Sequence, residues 1–321
     1  MSEMKFVLPE EISPEILQKY PLYFQHGYLK YQESSSSIKC LFAQDQEGNL
    51  IPLRWYRKSV FSYIQLLYTP WNENSGQLTP EAEINFLVDL VSFLKINKHA
   101  DALLEPLHVC HFKQAYPSKK SKKLGIMYVD LSLSEDLIFG GFSKTYRTQI
   151  KQCEKGGFVI SRSVNHLPVF FENYKYHHIK QGKSYDSINN MQKMLELLPN
   201  HCQLFSVVNA EGIWEGGVLL LYDRYKGYYF IGAKAETHPI HNGSQKFLHW
   251  NIMKFLKENQ IGAYNLGGYR YNLSDNDKFQ SIQEFKLKFG SKIDEGYHFN
   301  ITLSPKYSLF QSLIYLKNKI R

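Results

Sequence analysis

The chain has 321 residues, 43% of them hydrophobic and 15% aromatic, and a formal net charge of +8. That apolar content builds one large core or two ordinary ones and excludes an intrinsically disordered chain. No window approaches the ~18 uninterrupted apolar residues of a membrane-crossing helix, and MSEMKFVLPEE at the amino end carries acids without the apolar stretch of a secretory signal.

A cytoplasmic location is therefore expected. Cys40, Cys110, Cys153 and Cys202 form no CxxC pair and read as buried free thiols. The basic balance favours an anionic partner: a nucleotide-linked substrate, coenzyme phosphates, RNA or a lipid surface. The one dense basic run, KKSKK at 119–123, reads as a solvated loop, and no DNA partner is expected.

In chain order, residues 38–72 read as strand, DQEGN turn, strand, short turn and strand. Residues 80–98 carry apolar side chains at helical spacing, and the apolar run ALLEP follows. Ser132 to Glu135 opens one helix, SKTYRTQIKQCEKGG a second, and 166–182 and 187–199 read as two more. From Cys202 the early pattern returns: strand, NAEG turn, strand, DRYKG turn, strand, the helix GSQKFLHWNIMKFLKENQ and the run IGAYNLGG. Landmarks keep near-constant separation: Phe42 and Phe205 differ by 163, Gly48 and Gly212 by 164, Phe93 and Phe255 by 162. We read a duplicated α/β unit. Each is a three-stranded meander whose helix returns the chain to a parallel strand, giving mixed sheets.

Gly267-Gly268 ends the apolar run, as a tight turn or as backbone that lies close to a ligand. In EFKLKFG, Phe285, Leu287 and Phe289 alternate with Lys286 and Lys288, which predicts a half-buried strand holding its ammonium groups on one face. Residues 304–321 predict an amphipathic basic helix, which either packs on its own domain or makes transient contact with an anionic membrane. LHVCHF brings His108, Cys110 and His111 together without zinc spacing, and no metal is expected.

The order of these segments resembles the Fem-type (FemAB-like) family of tandem GNAT acyltransferases. The likeness is carried by YVDLSLSEDL with KTYRTQIKQCEKGGFVI, by WEGGVLLLY and YYFIGAKAE, by NGSQKFLHWNIMKFLKENQIGAYNLGG and by EFKLKFG. It implies two GNAT-like domains: 1–130 on the acceptor side, inter-domain helices at 131–160, and 161–321 on the acyl-donor side. It also implies that the last two strands of the second meander unit splay, baring amides toward an activated acyl carbon. Within the family some cell-wall members carry a long helical arm for which 165–199 is too short. The resemblance is therefore taken toward nucleotide-sugar N-acyltransferases.

The expected activity moves an acyl group from acyl-CoA to the amine of a dTDP- or UDP-linked amino-deoxysugar, for lipopolysaccharide or other surface polysaccharide. One alternative is an aminoacyl-tRNA-dependent peptidyl transferase for peptidoglycan cross-bridges; another is a non-catalytic RNA- or protein-binding module. Lys286 matches a family lysine near the reacting groups, and His241 or His238, titrating near neutrality, would take the amine proton. Gly243, Ser244 and Lys246 at a helix start, with Gly267 and Gly268, would hold the donor. Lys30, Tyr68, Trp71, Arg147, Tyr269 and Arg270 are assigned to the acceptor, with Arg147 alternatively bracing the two units by an ion pair.

Overall fold

The computed structural model describes residues 4–34, 37–107, 109–117, 121–271, 273 and 278–320. Its strands are β1 (Lys5–Val7), β2 (Ile38–Gln44), β3 (Leu50–Lys58), β4 (Phe61–Leu66), β5 (Trp71–Asn72), β6 (Gly76–Gln77), β7 (Ala102–Leu104), β8 (Lys122–Asp130), β9 (Val159–Ser161), β10 (Cys202–Val208), β11 (Trp214–Tyr222), β12 (Lys226–Lys234), β13 (Ala263–Tyr269), β14 (Lys292–His298) and β15 (Ile301–Thr302). Its helices are α1 (Pro14–Leu17), α2 (His26–Gln32), α3 (Pro80–Ile96), α4 (Glu135–Gly140), α5 (Lys144–Lys155), α6 (Leu167–Lys180), α7 (Ile188–Leu197), α8 (Ser244–Glu258), α9 (Lys278–Leu287) and α10 (Pro305–Ile320).

The chain divides into two compact units, Met1–Gly125 with Glu295–Arg321, and Ile126–Asp294. The expected boundaries are corrected accordingly. Helices α4 and α5, expected between the domains at 131–160, are part of the second unit. Residues from Glu295 on, expected in a 161–321 domain, return to the first, because β15 pairs with β7 and Phe299 packs on Phe112 at 5.0 Å.

Each unit is a mixed sheet covered by helices. The first sheet runs β1-β2-β3-β4-β7-β15, with the β5–β6 hairpin on β3; the second runs β14-β8-β13-β12-β11-β10-β9. In both, a meander (β2-β3-β4; β10-β11-β12) leads through a long helix (α3; α8) to a parallel strand. Helix α3 shows why these segments are helical. Thr79 caps it by accepting the Ala82 amide, Pro80 takes a first-turn position that needs no N–H, and Phe86, Leu87, Leu90, Val91 and Leu94 form its buried stripe.

The duplication reaches individual hydrogen bonds. In the first turn Asp45 Oδ1 accepts the amides of Glu47 and Asn49, and Gly48 takes φ +79°. In the second, Asn209 Oδ1 accepts the amides of Glu211 and Ile213, and Gly212 takes φ +80°. Helices α3 and α8 stop alike: Asn97 and Asn259 donate back to the carbonyls of Phe93 and Phe255, and Lys98 and Gln260 follow in the left-handed conformation.

One predicted element is wrong. EFKLKFG is not a strand but the end of α9 and the turn after it. Phe285 and Phe289 are four apart as well as alternating, and their rings meet at 5.3 Å on one helical face.

Candidate active site

The parallel pair β12–β13 is in register from Lys226↔Ala263 to Tyr228↔Asn265 and no further, although both strands continue. Two local features part them. On β12 the pairing with β11 skips from Tyr229 to Ile231, leaving Phe230 as a bulge that bends the strand. On β13 the Asn265 side chain accepts the Gly267 amide at 2.7 Å, and Gly267 takes φ +92°.

Beside this divergence lies a cleft of about 440 Å³, lined by β12, the loop before α8, and the inner faces of α8 and α9. Lys286 reaches into it from α9. It is 9% exposed, and a Cβ added to Gly267 would lie 3.3 Å from its Nζ, so the ammonium rests against the backbone where β13 leaves β12. Burial pushes its pKa down to about 8, and no carboxylate among the described residues offsets that. Phe285 and Phe289 hold this end of α9 against Tyr146, whose hydroxyl donates to the Phe285 carbonyl at 3.3 Å.

Two residues absent from the sequence reading matter here. His249 on α8 lines the cleft, with Nδ1 3.0 Å from the Tyr264 hydroxyl. Burial, and then the Lys286 charge, push its pKa down to about 3, so it stays neutral at physiological pH. The other is Glu215, buried on β11. It accepts the His241 amide at 2.9 Å and the Ser244 hydroxyl, and so seats a carboxylate at the start of α8. A charged residue inside the apolar run WEGGVLLLY was the available signal.

The anion position expected at Gly243 and Ser244 is thus occupied from within. The Gly243 amide donates to His241 Nδ1 at 3.0 Å and the Ser244 amide to the His241 carbonyl at 3.1 Å. A Cβ at Gly243 would meet the Gln149 carbonyl at 2.5 Å, so this glycine serves helix packing. Lys246 lines the cleft and donates to the Asn242 carbonyl, with its ammonium 5.5 Å from the Tyr146 ring. Burial lowers its pKa.

His241 lines the cleft, but its Nδ1 accepts from Gly243 and sits 3.2 Å from Cys153 Sγ. The neutral ring then carries its proton on Nε2, which leaves no free lone pair for a base. His238 is not among the residues lining the cleft. Tyr269 and Arg270 tie the end of β13 to neighbouring chain. The Tyr269 ring meets Tyr271 at 5.0 Å, and Arg270 lies 3.7 Å over Phe279 while its amide donates to Gln283. Gly268 is exposed on β13. Arg147 donates to the carbonyls of Gly140 and Phe142 and so braces the end of α4 within the second unit, and among the described residues no ion pair of its guanidinium is found.

In the first unit Tyr68 and Trp71 are core residues, 6% and 8% exposed, with Tyr68 stacked on Tyr23. Lys30 is exposed on α2. The strands that match the splayed pair are joined at their ends: Gln65 Nε2 donates to the Glu105 carbonyl and the Leu107 amide to that of Leu66. Among the described residues no group of three or more His, Cys, Asp or Glu would hold a metal, and no helix is long and apolar enough to cross a membrane. His108 lies outside the described residues.

The fold and the parted strands define a tandem GNAT-like α/β protein. The structure superimposes on that of FemX with a TM-score of 0.71 at 14% identity, covering 96% of this chain and 99% of that one. It also matches L-PGS from Bacillus licheniformis with a TM-score of 0.54 at 13% identity, over 96% of each chain. In sequence the chain is 26% identical over 139 residues to a lipid II:glycine glycyltransferase of Staphylococcus haemolyticus, covering 41% of this chain and 30% of that protein. The corresponding enzyme of Staphylococcus saprophyticus is 25% identical over 138 residues, covering 41% and 32%. The match thus spans about a third of the length of these curated relatives. No protein-family model matches the chain.

These likenesses support a Fem-type relationship and overturn the placement near nucleotide-sugar acyltransferases. With it go the acyl-CoA donor, the dTDP- or UDP-amino sugar and the lipopolysaccharide role: the sequence relatives are named for glycyl transfer to lipid II.

Proposed function

We propose that the chain is a Fem-type aminoacyltransferase, moving an amino acid from an aminoacyl-tRNA to an amine on a peptidoglycan precursor. The sequence likeness to two lipid II:glycine glycyltransferases carries this reading. The cleft supplies suitable chemistry. The acceptor amine attacks the ester carbonyl of the aminoacyl group; a C–N bond forms, the C–O bond to the ribose breaks, and the amine's proton goes to the departing ribose oxygen. Lys286, an ammonium with a pKa near 8, is suited to stabilise the oxyanion and to relay that one proton, giving its own to the ribose oxygen and regaining one from the amine. The neutral His249–Tyr264 pair sits beside it and adds no competing charge. Gly267 leaves the space the ammonium occupies.

The test is transfer of labelled amino acids, from a fully charged tRNA pool, to purified lipid II. Label should reach lipid II only when the chain is present and should be lost when the tRNA is deacylated beforehand. Absence of transfer from every charged tRNA would refute the proposal.

A further inference from the structure

Helix α10 presents opposite faces of unexpected character. Its first turns touch its own unit: the Tyr307 and Phe310 rings pack on Phe61 at 5.2 and 4.8 Å and Gln311 accepts from Thr302 at 3.0 Å, while Phe310 itself stays 39% exposed and Ile314, one turn on, 42%. The opposite face is where a surface helix places polar residues. Here it carries Leu309, Leu313 and Leu316, exposed to 64%, 57% and 54% and spaced four and three apart. Beside the start of the helix the β3–β4 turn lifts Val60, 74% exposed, and Lys306 donates to the Val60 carbonyl at 3.3 Å.

The charges around this stripe share one sign. The α10 sequence PKYSLFQSLIYLKNKI contains no acidic residue, while Lys317 and Lys319 lie in its last turn. Exposed Arg57 and Lys58 end β3 just before this turn. Lys306 has a carboxylate partner, Asp101 at 3.1 Å.

We infer that α10 and the β3–β4 turn form an interfacial docking surface for an anionic membrane. The leucine stripe and Val60 enter the boundary of headgroups and acyl chains, and the cations meet the lipid phosphates. An apolar stripe flanked by Lys317, Lys319, Arg57 and Lys58 fits a surface that is greasy beneath and negative above. The surface lies in the first unit, involves no residue of the cleft and does not depend on the proposed reaction.

The experiment is co-sedimentation of the intact chain with vesicles of phosphatidylglycerol and phosphatidylcholine, against phosphatidylcholine alone. Binding is expected to the anionic vesicles and to weaken with salt. The double variant Leu313→Glu, Leu316→Glu alters exposed side chains only and should reduce binding at least ~10-fold, with an unchanged unfolding midpoint. Lys317→Glu with Lys319→Glu should do the same for anionic vesicles. No binding, equal binding to both vesicle types, or full binding by the leucine variant would overturn the inference. So would a concentration-dependent dimer that the leucine variant abolishes, because the face would then belong to a second copy.

Discussion

Among the described residues no carboxylate partners Lys286 in the cleft wall, and its lowered pKa has two consequences with opposite signs for stability and activity. The folded value of about 8 lies below the ~10.4 of an unfolded lysine, so the folded chain releases this proton first. Burial of the ammonium therefore destabilises fully below pH 8, and the penalty fades as pH rises toward 10.4. Lys286→Met should be more stable than wild type at pH 7, by about 3 kcal/mol at most, with the gap closing near pH 10 in urea unfolding. Its turnover should fall ~100-fold, the scale of losing one oxyanion partner. Wild-type turnover should decline as pH passes about 8 and the ammonium is lost. A variant both less stable and fully active would remove Lys286 from the chemistry. His249 obeys the same linkage at acid pH. Its folded value near 3 lies below the unfolded ~6.5, so the stability of the neutral form is complete above pH 6.5 and lost on the way down to 3. The ring resonances of His249 should stay flat in an NMR titration from pH 8 to 5; a midpoint near 6.5 would place it in water.

At the scale of elements, the parting of β12 from β13 rests on a bulge and one glycine. Gly267 alone of the Gly267-Gly268 pair has positive φ, and its missing Cβ leaves room for Lys286 Nζ. Gly267→Ala should cost about 1–2 kcal/mol through the left-handed backbone and displace the ammonium. Gly268→Ala, at an exposed position without that φ, should leave the melting temperature close to wild type. Equal melting temperatures and rates for the two variants would show that the conformation is unimportant. Meander, helix and return strand were legible because turn residues and helix caps act locally: the Asp45–Gly48 and Asn209–Gly212 turns announce themselves by residue type. Helix α9 was not legible, since seven residues with phenylalanines both alternating and four apart satisfy two periods. The cleft's inner wall was hidden for a different reason. His249 and Glu215 look like core residues of a helix and a strand, and only tertiary packing brings them to the start and inner face of α8.

For the whole molecule, the duplication could be read from constant spacing, but the return of the chain to its first unit could not. That return depends on pairing across nearly two hundred residues, which no local pattern encodes. Asp101 shows how firmly the late segment is bound. Burial alone would raise its pKa, yet the Ser304 hydroxyl, the Ser62 amide and the Lys306 ammonium together lower it. Two of these three groups come from beyond Glu295. The same segment supplies Phe299, 2% exposed against Phe112, and Ile301, in register with Leu103 of β7. A chain cut after Asp294 takes the Ser304 hydroxyl and the Lys306 ammonium from Asp101, leaves it the Ser62 amide and hydroxyl, and uncovers β7. Hydrogen exchange on the cut chain should therefore show β4 and β7 amides losing most of their protection, while β10 and β11 in the second unit keep theirs. Full protection of β7 in the cut chain would mean that the first 125 residues form a complete unit without the returning segment.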